Sequence, residues 1–488
     1  MMLQDPQAPF AILSDPAARA ATAPILALAL GVLALLVCEI GGPLRSLRPL
    51  AFVAAVLAGL VFELRILSGA VAPGAVLDGT LVADPTTAAW GVLFLSGTLL
   101  AWAYGLGRHP ESEPFRGEHD ALMLSSAIGM MLMAGAGDLI VFFVGLELLS
   151  IPLYALAAFQ RWRGPSVEAG IKYFLLGSFS TALFLFGAAL LYAAEGSLSI
   201  PALAAAASHS HLARAGVALV AASLLFKVSA FPFHGWVPDV YQGSPTHVTA
   251  LMATGTKAAA LAFLVTQAAP LFPGEAALLV ALLALVTMAI GNLGALVQED
   301  LKRMLAYSGI AHAGTVLLLV AVRMAGVDGG ATLRAALFYM AAYVFTATGA
   351  FGLVASLERG PERSTRIDAL RGLARSRPFA AGALTLFLLS LGGIPATGGF
   401  LGKWFVFAAV VRADMVPVAV AGALLSVLAL AYYLRIVVVM WMQPPAAARV
   451  EAEGGPAPFP AGLATAVCAL VVLATGLVPA FFLDPLGS

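Results

Sequence analysis

Four ionisable residues of this sequence lie inside long apolar stretches: Glu147, Lys227, Lys257 and Lys403. A charged side chain at the centre of a membrane helix costs about 2.5–3.5 kcal/mol. Four of them approach ~10 kcal/mol, which is comparable to the net stability of a whole domain. Ionisable groups kept at that cost predict proton or ion transfer. A structural salt bridge between Glu147 and Lys227 is the alternative, and it accounts for two of the four residues.

Two prolines, Pro232 and Pro395, interrupt apolar stretches, and a lysine lies within eight residues of each. Proline has no N–H, so the carbonyls four residues earlier, at Val228 and Leu391, lose their helical partners. Lipid offers no hydrogen bond, so each carbonyl must bond to water or to a side chain. The pattern predicts two hydrated helix breaks, each beside a lysine. Kinks that serve packing alone are the alternative.

His312 lies in the middle of another apolar stretch. A histidine binds or releases a proton near neutral pH, so His312 is a candidate relay; a purely structural histidine is the alternative. His234 and His247 flank a turn that we expect near the cytoplasmic face. The other histidines, expected in loops, are His109, His119, His209 and His211. None of the seven has metal-ligand spacing, and no dinucleotide, haem, iron–sulfur or hydrolase motif is present. We therefore expect no cofactor or metal in this chain.

The composition predicts which structural elements hold these residues in place. Of the 488 residues, 61% are hydrophobic and 11% charged, against roughly 25% charged in soluble domains. Apolar stretches of the ~20 residues that cross a bilayer recur along the chain. The sequence therefore predicts an all-α polytopic membrane protein of about fourteen transmembrane helices, with lipid as its environment and no basic patch for nucleic acid. The predicted spans are 22–42, 50–70, 86–106, 120–137, 139–159, 172–194, 213–234, 246–268, 276–297, 304–323, 334–357, 379–411, 414–441 and 459–481.

Positive residues between these spans are distributed unequally. Sixteen fall in the loops of one face and five in those of the other. Positive charge is enriched in cytoplasmic loops, so the sequence predicts both termini on the face of the membrane opposite to the cytoplasm. The remaining positive residues lie within spans: Arg65, Lys227, Lys257, Lys403 and Arg435.

Short strings indicate an internal repeat. Gly137-Asp-Leu139 and Glu299-Asp-Leu301 each open a span at an offset of 162 residues, and the two proline breaks are offset by 163. Matched spans are five apart, an odd number, so the second unit must be inverted in the membrane, as in many ion transporters. A coincidental match is the alternative. The predicted segments are a three-helix segment (1–119), two inverted five-helix repeats, each with a broken helix (120–268 and 276–441), and a terminal helix (459–488).

Several longer strings resemble the antiporter-like membrane subunits of proton-pumping NADH:quinone oxidoreductase, respiratory complex I. The branch most similar is subunit N, called subunit 2 in mitochondria, for which Lys403 and the string from Pro238 to Gly243 are typical. The resemblance covers about residue 80 to about residue 440. The strings are Gly145–Tyr154, Glu168–Phe174, Phe226–Pro245, Asp300–Ser308 and Gly398–Lys403.

The resemblance implies roles for the buried residues. Glu147 and Lys227 would form a coupled pair, Lys257 and His312 would lie on a central hydrophilic axis, and Lys403 would be the terminal exchange lysine. Glu168 and Lys172 would be ancillary residues on the proton access path.

The resemblance also implies partners. FMN, iron–sulfur clusters and quinone would belong to other peripheral and membrane subunits, and quinone reduction there would drive proton transfer here. Two other functions stay open: a subunit of a multisubunit sodium/proton antiporter or proton-pumping hydrogenase, and a non-conducting membrane scaffold.

Overall fold

The chain is built almost entirely from helices, as the apolar stretches predict. The computed structural model describes residues 16–40, 42–71, 73–76, 79–106, 116–206, 210–358, 365–445 and 459–479. The helices are α1 Pro16–Ile40, α2 Arg48–Leu67, α3 Pro85–Gly105, α4 Arg116–Gly135, α5 Leu139–Ala157, α6 Gly164–Glu195, α7 Ile200–Ala206, α8 His211–Val228, α9 Trp236–Gly243, α10 Thr246–Leu271, α11 Ala277–Leu296, α12 Leu301–Met324, α13 Gly329–Leu357, α14 Leu373–Ser376, α15 Pro378–Gly392, α16 Gly398–Arg412, α17 Val416–Met442 and α18 Phe459–Leu477.

Within the described ranges, twelve helical segments are long and apolar enough to cross a membrane. Two further predicted spans correspond to α4, of 20 residues, and to the consecutive helices α15 and α16. The chain is therefore a polytopic helical membrane protein. The two terminal segments, whose side of the membrane was predicted, lie outside the described residues.

Three helices form the centre of the bundle. The apolar part of α10 is 100% buried, and those of α12 and α13 are 94% and 89% buried. Outer helices instead carry exposed leucines, such as Leu30 on α1 and Leu424 on α17. An apolar exterior of this kind suits lipid. The central helices are the ones that carry Lys257 and His312.

An aspartate caps the helix at the corresponding point of each predicted repeat. Asp138 caps α5 by accepting from the Ile140 N–H at 2.7 Å, and Asp300 caps α12 by accepting from the Arg303 N–H at 2.9 Å. Each aspartate also forms an antiparallel bridge to a later segment, Asp138 with Ser199 and Asp300 with Arg366. The two predicted repeats therefore share a capping aspartate and a bridge, and the repeat itself stays a prediction.

Both predicted breaks are present. α8 ends at Val228, where Ser229 adopts a left-handed φ of 66°, and α15 ends at Gly392, where Gly393 has a φ of 83°. Span seven was predicted to run to residue 234 with its break near Pro232, but α8 already ends at Val228. Pro232 has no N–H for the carbonyl of Val228, and its ring clashes with that carbonyl in a continuous helix. The short helix α9 follows this break, and α16 follows the second one.

A small β-hairpin, which the sequence did not predict, joins α2 to α3. Strands β1 (Gly74–Val76) and β2 (Leu81–Ala83) pair antiparallel, with Ala75 opposite Val82. Leu81 also bridges to Ala136, in the turn between α4 and α5. The hairpin therefore ties the N-terminal helices to the start of the first repeat.

Candidate functional site

Glu147 and Lys227 are near enough for their charges to interact, but each bonds to a hydroxyl group. The Nζ of Lys227, which is 2% exposed, donates to Oγ of Ser150 at 2.7 Å. Oε1 of the half-buried Glu147 accepts from Oγ1 of Thr181 at 2.7 Å. In the part of the chain that the structure describes, no ion pair joins the two residues. The structural salt bridge considered above is therefore not formed here.

Ser150 connects this lysine to the helix that carries Glu147. Its hydroxyl donates to the carbonyl of Leu146, one turn earlier on α5, while it accepts from Lys227. Aromatic rings complete the surroundings of the ammonium group, with Nζ 5.8 Å from the ring centre of Tyr154 and 6.0 Å from that of Phe226. Aromatic faces attract a cation without accepting its proton. Ser150 is the one hydroxyl bonded to this ammonium among the described residues.

Lys257 lies where α10 departs from regular α-helical geometry. The segments Met252–Thr256 and Leu264–Ala268, on either side of it, are π-helical. The Nζ of Lys257 donates to Oη of Tyr241 at 3.0 Å and reaches the carbonyl of Ala253 at 3.5 Å. Short π-helical segments often occur at functional sites. The lysine thus has two neutral oxygen partners and is 4% exposed.

His312 is held between two tyrosines. Its Nδ1 lies 2.6 Å from Oη of Tyr339 and its Nε2 lies 3.4 Å from Oη of Tyr433. The hydroxyl of Tyr433 also bonds to Ser308. A hydroxyl can donate or accept, so the two tyrosines suit either neutral tautomer of the ring. His312 is therefore placed to pass a proton between its two sides.

Lys403 bonds to the helix break predicted beside it. Its Nζ donates to the carbonyl of Leu391 at 2.9 Å and to that of Gly392 at 3.0 Å. The expectation that the carbonyl freed at Leu391 finds a new partner is confirmed, and the partner is this lysine. The broken helix thus supplies acceptors for a cation at the end of α15.

Two small cavities join these groups. One, of about 10 Å³, is lined by Val228, Lys257 and His312. The other, also about 10 Å³, is lined by His312, Asn292 and Lys403. Each has space for about one water molecule. The structure therefore brings Lys257, His312 and Lys403 into one line of titratable groups, and the first cavity, lined mostly by apolar side chains, reaches the residue next to Lys227.

A larger cavity of about 470 Å³ opens at the ends of α6, α9 and α12, and we call it the vestibule. Lys172 lies on its wall and pairs with Glu168 at 2.7 Å and with Asp239 at 2.8 Å. Arg303 also pairs with Asp239, at 2.7 Å. The hydrogen bond from Lys172, together with that from Arg303, holds the pKa of Asp239 below its ordinary value. The vestibule is therefore a charged and hydrated space.

Lys302 was expected among the cytoplasmic loop charges but is buried, with 2% of its surface exposed. Its Nζ donates to the carbonyl of Ser244 at 2.6 Å and lies 3.9 Å from the carboxylate of Glu358. That carboxylate also accepts from Thr246, the first residue of α10. Lys302 and Glu358 line the vestibule, so they connect it to the helix of Lys257.

Sequence reasoning missed the groups that connect the charged residues: Ser150, Thr181, Tyr241, Tyr339 and Tyr433. Ser150 follows Glu147 by three residues, which places both on one helix face and was an available signal. The tyrosines come from other helices, and their contacts depend on packing that no local pattern encodes.

The expected loop position of His119 is wrong. It lies in the first turn of α4, is 3% exposed, and its Nε2 lies 2.9 Å from Nε2 of His247. The same loop position was expected for His211 and is also wrong, since His211 begins α8. His109 and His209 lie outside the described residues.

The described residues contain no group of three or more His, Cys, Asp or Glu side chains that could hold a metal ion. Both cysteines, Cys38 and Cys468, are buried and free.

The chain matches a family of membrane proteins described as "NADH:quinone oxidoreductase/Mrp antiporter, TM" over residues 136–429. It is 42% identical over 382 residues to NADH-quinone oxidoreductase subunit N 1 of Chloroherpeton thalassium, covering 75% of this chain and 77% of that one. It is 44% identical over 370 residues to subunit N of Salinibacter ruber, covering 74% and 73%.

Solved structures share the fold. A chain of respiratory complex I from Thermus thermophilus aligns with a TM-score of 0.81 and 35% identity, covering 95% of this chain and 99% of that chain. A chain of the Mrp complex from Dietzia sp. aligns with a TM-score of 0.81 over 95% and 96%, but with 23% identity, which is a likeness of fold alone.

Proposed function

Since this chain belongs to the NADH:quinone oxidoreductase/Mrp antiporter membrane family, and within it to the subunits N of NADH-quinone oxidoreductase, we propose that it translocates protons as a membrane-arm subunit of that complex. The observation that carries the proposal is the buried line of titratable groups through Lys257, His312 and Lys403, with Lys227 beside its first cavity. Each member can hold a proton and each has a neutral oxygen partner. The two inverted repeats then serve as two half-channels that meet near Lys257 and His312.

Protons reach this line from the vestibule. Glu168 and Lys172 stand at its mouth, and the pair of Lys302 and Glu358 lies deeper, next to the first residue of α10. From Lys257 the route continues through His312 and its tyrosines to Lys403, the terminal exchange lysine. Between Lys257 and Lys403 this route passes titratable groups, tyrosine hydroxyls and cavities about the size of a water molecule.

Glu147 controls the charge on Lys227. In the state described here Ser150 and Thr181 hold the two side chains apart. Direct pairing would favour the protonated lysine, and separation would favour loss of its proton. Two unit charges 4 Å apart interact with about 4 kcal/mol at an effective dielectric of 20. Moving one proton against ~150 mV requires about 3.5 kcal/mol. The free energy of forming and breaking this ion pair is therefore large enough to move one proton against that potential.

The driving reaction takes place in partner subunits. We assign FMN, iron–sulfur clusters and quinone to those subunits. Quinone reduction there changes the electrostatic potential along the membrane arm. The chain lies in a bacterial inner membrane with both termini periplasmic, so the vestibule faces the cytoplasm. This orientation follows the distribution of positive residues between the loops.

The test uses the native complex, purified through an affinity tag and reconstituted into sealed vesicles. Lys257→Met removes the central ammonium group, and we expect proton transport driven by NADH and quinone to fall at least tenfold. NADH oxidation by an artificial acceptor should stay at the wild-type rate, which verifies assembly. Arg65→Met is the matched control, because Arg65 is a cation within a span but exposed on α2; its transport should be unchanged.

Wild-type proton transport in an assembled Lys257→Met complex would contradict the proposal. Purification of the chain without flavin and without NADH oxidation would instead favour a sodium/proton antiporter or hydrogenase subunit.

A further inference from the structure

A second titratable site lies among the N-terminal helices, away from the lysine line. Glu63, near the end of α2, is 6% exposed. No hydrogen bond or ion pair joins its carboxyl group to any residue in the described ranges. Glu63 lines a cavity of about 30 Å³, together with Pro24 of α1, Val82 of β2, Thr87 of α3 and Gly135 of α4. That volume holds about two water molecules.

The carboxyl packs against the backbone of α3 at a residue without a side chain. A Cβ atom at Gly91 would overlap Oε1 and Cδ of Glu63. Gly91 is therefore the position at which α3 leaves room for the carboxyl group. The carboxyl group is thus closely fitted against α3, and Glu63 lines a hydratable cavity that five elements form together: α1, α2, β2, α3 and α4.

Charged groups on the surrounding elements do not neutralise Glu63. Arg65 on its own helix and Arg19 on α1 are exposed, and Asp84 caps α3 by accepting from the Thr87 N–H at 2.7 Å. The other titratable residues of α1 and α4 lie toward the opposite ends of those helices: Cys38, Glu39, Glu118, His119 and Asp120. An unpaired buried carboxylate is strongly unfavourable, so this group holds a proton when it is not exchanging one.

The site lies at the end of the molecule opposite to the vestibule. α3 has 21 residues and is therefore roughly 30 Å long. Its C-terminal Gly105 packs against the ring of His247, next to Thr246 and the vestibule. Its N-terminal part holds Glu63 beside the hairpin. The cavity therefore lies near the face of the molecule opposite to the vestibule.

We infer that Glu63 is a proton-exchange site of the N-terminal helices, which binds a proton from water in the adjacent cavity and releases it to the aqueous phase at the hairpin end during transport. In each exchange the carboxylate takes a proton from a cavity water, and the O–H bond of the resulting carboxylic acid later breaks, so that the proton passes to the aqueous phase at the hairpin end. The site stands on its own geometry, but its use in transport rests on the proposed function.

The test is infrared spectroscopy on the purified complex, with Glu63→Gln as the variant. The difference spectrum between wild type and variant should contain the carbonyl stretch of one protonated carboxylic acid, shifted in D₂O because the proton exchanges. A spectrum without this band, or a band that does not shift, overturns the inference.

Transport in sealed vesicles supplies the second readout. Glu63→Gln should slow proton transport at least threefold, while the neighbouring exposed control Arg65→Gln should not. If Lys257→Met abolishes transport and Glu63→Gln leaves it unchanged, the inference fails and the proposed function stands. If Lys257→Met leaves transport unchanged, the proposed function fails.

Gly91→Ala provides a variant that retains the carboxyl group. Its added methyl group displaces the carboxyl and should shift the infrared band. Gly97→Ala, on the same helix but in contact with Val344, should leave the band in place. A band unchanged in Gly91→Ala contradicts the assignment to Glu63.

Discussion

Lys227 donates a 2.7 Å hydrogen bond to Ser150, a residue one helical turn beyond Glu147 on α5. The serine therefore holds the ammonium group close to the carboxylate without a direct ion pair. The hydroxyl of Ser150 thus defines the separated state of this pair.

Ser150→Ala should weaken control of Lys227. The substitution leaves a buried ammonium group without its hydroxyl partner, which costs about 1–3 kcal/mol. We expect proton transport by the reconstituted complex to slow roughly tenfold, corresponding to about 1.4 kcal/mol. Ser126→Ala is the control, since Ser126 is equally buried and donates to Leu122 of its own helix. Equal effects of the two substitutions would show that the hydroxyl of Ser150 has no special role.

Gly393→Ala should disturb the second break. The residue has a left-handed φ of 83°, which costs a residue with a Cβ roughly 1–2 kcal/mol. The added Cβ would also lie 3.1 Å from Cδ of Lys403. We expect lower thermal stability of the complex and slower proton transport.

Gly382→Ala, on the preceding helix, is the control for Gly393→Ala, because no atom lies within 4 Å of its Cβ position. It should preserve stability and transport. A Gly393→Ala complex that matches this control in both measurements refutes the assigned role of the break.

The pairing of Asp239 predicts a specific pH dependence. The hydrogen bond from Lys172 holds the pKa of Asp239 below its ordinary value of 3.8. A carboxyl group with a lowered pKa contributes stability above its unfolded pKa and loses it as the pH falls through the folded value. Asp239→Asn should therefore lower the unfolding temperature by the same small amount at every pH from 8 to about 5. The effect is small because the carboxylate is 39% exposed and therefore screened by solvent. A difference that disappears between pH 7 and pH 5 would contradict this pairing.

The charged residues and the helix breaks could be predicted, because the neighbouring residues in the sequence are enough to identify each of them. A lysine such as Lys257 inside an apolar stretch is conspicuous whatever surrounds it in the fold. Pro395 frees the carbonyl of Leu391 by its own covalent structure. The bond from Lys403 to that carbonyl then follows from the need to satisfy it in lipid.

The connecting groups could not be predicted, because serine and tyrosine occur in helices for many reasons. Tyr339 reaches His312 only through the packing of α13 on α12. The burial of Lys302 likewise depends on the ends of α9 and α13, which cover it. Its neighbours in the sequence are charged and polar, so they predict an exposed loop. Such contacts arise between helices distant in sequence, and apolar periodicity carries no information about them.

The most direct test of proton translocation through this chain is the rate of NADH-driven proton transport by the assembled complex carrying Lys227→Ala or Glu147→Ala. We expect each variant to oxidise NADH with an artificial acceptor at the wild-type rate and to transport protons at least tenfold more slowly. The double variant should be no slower than the slower single variant, since both residues act through one coupled pair. Wild-type transport in either assembled single variant would contradict the account.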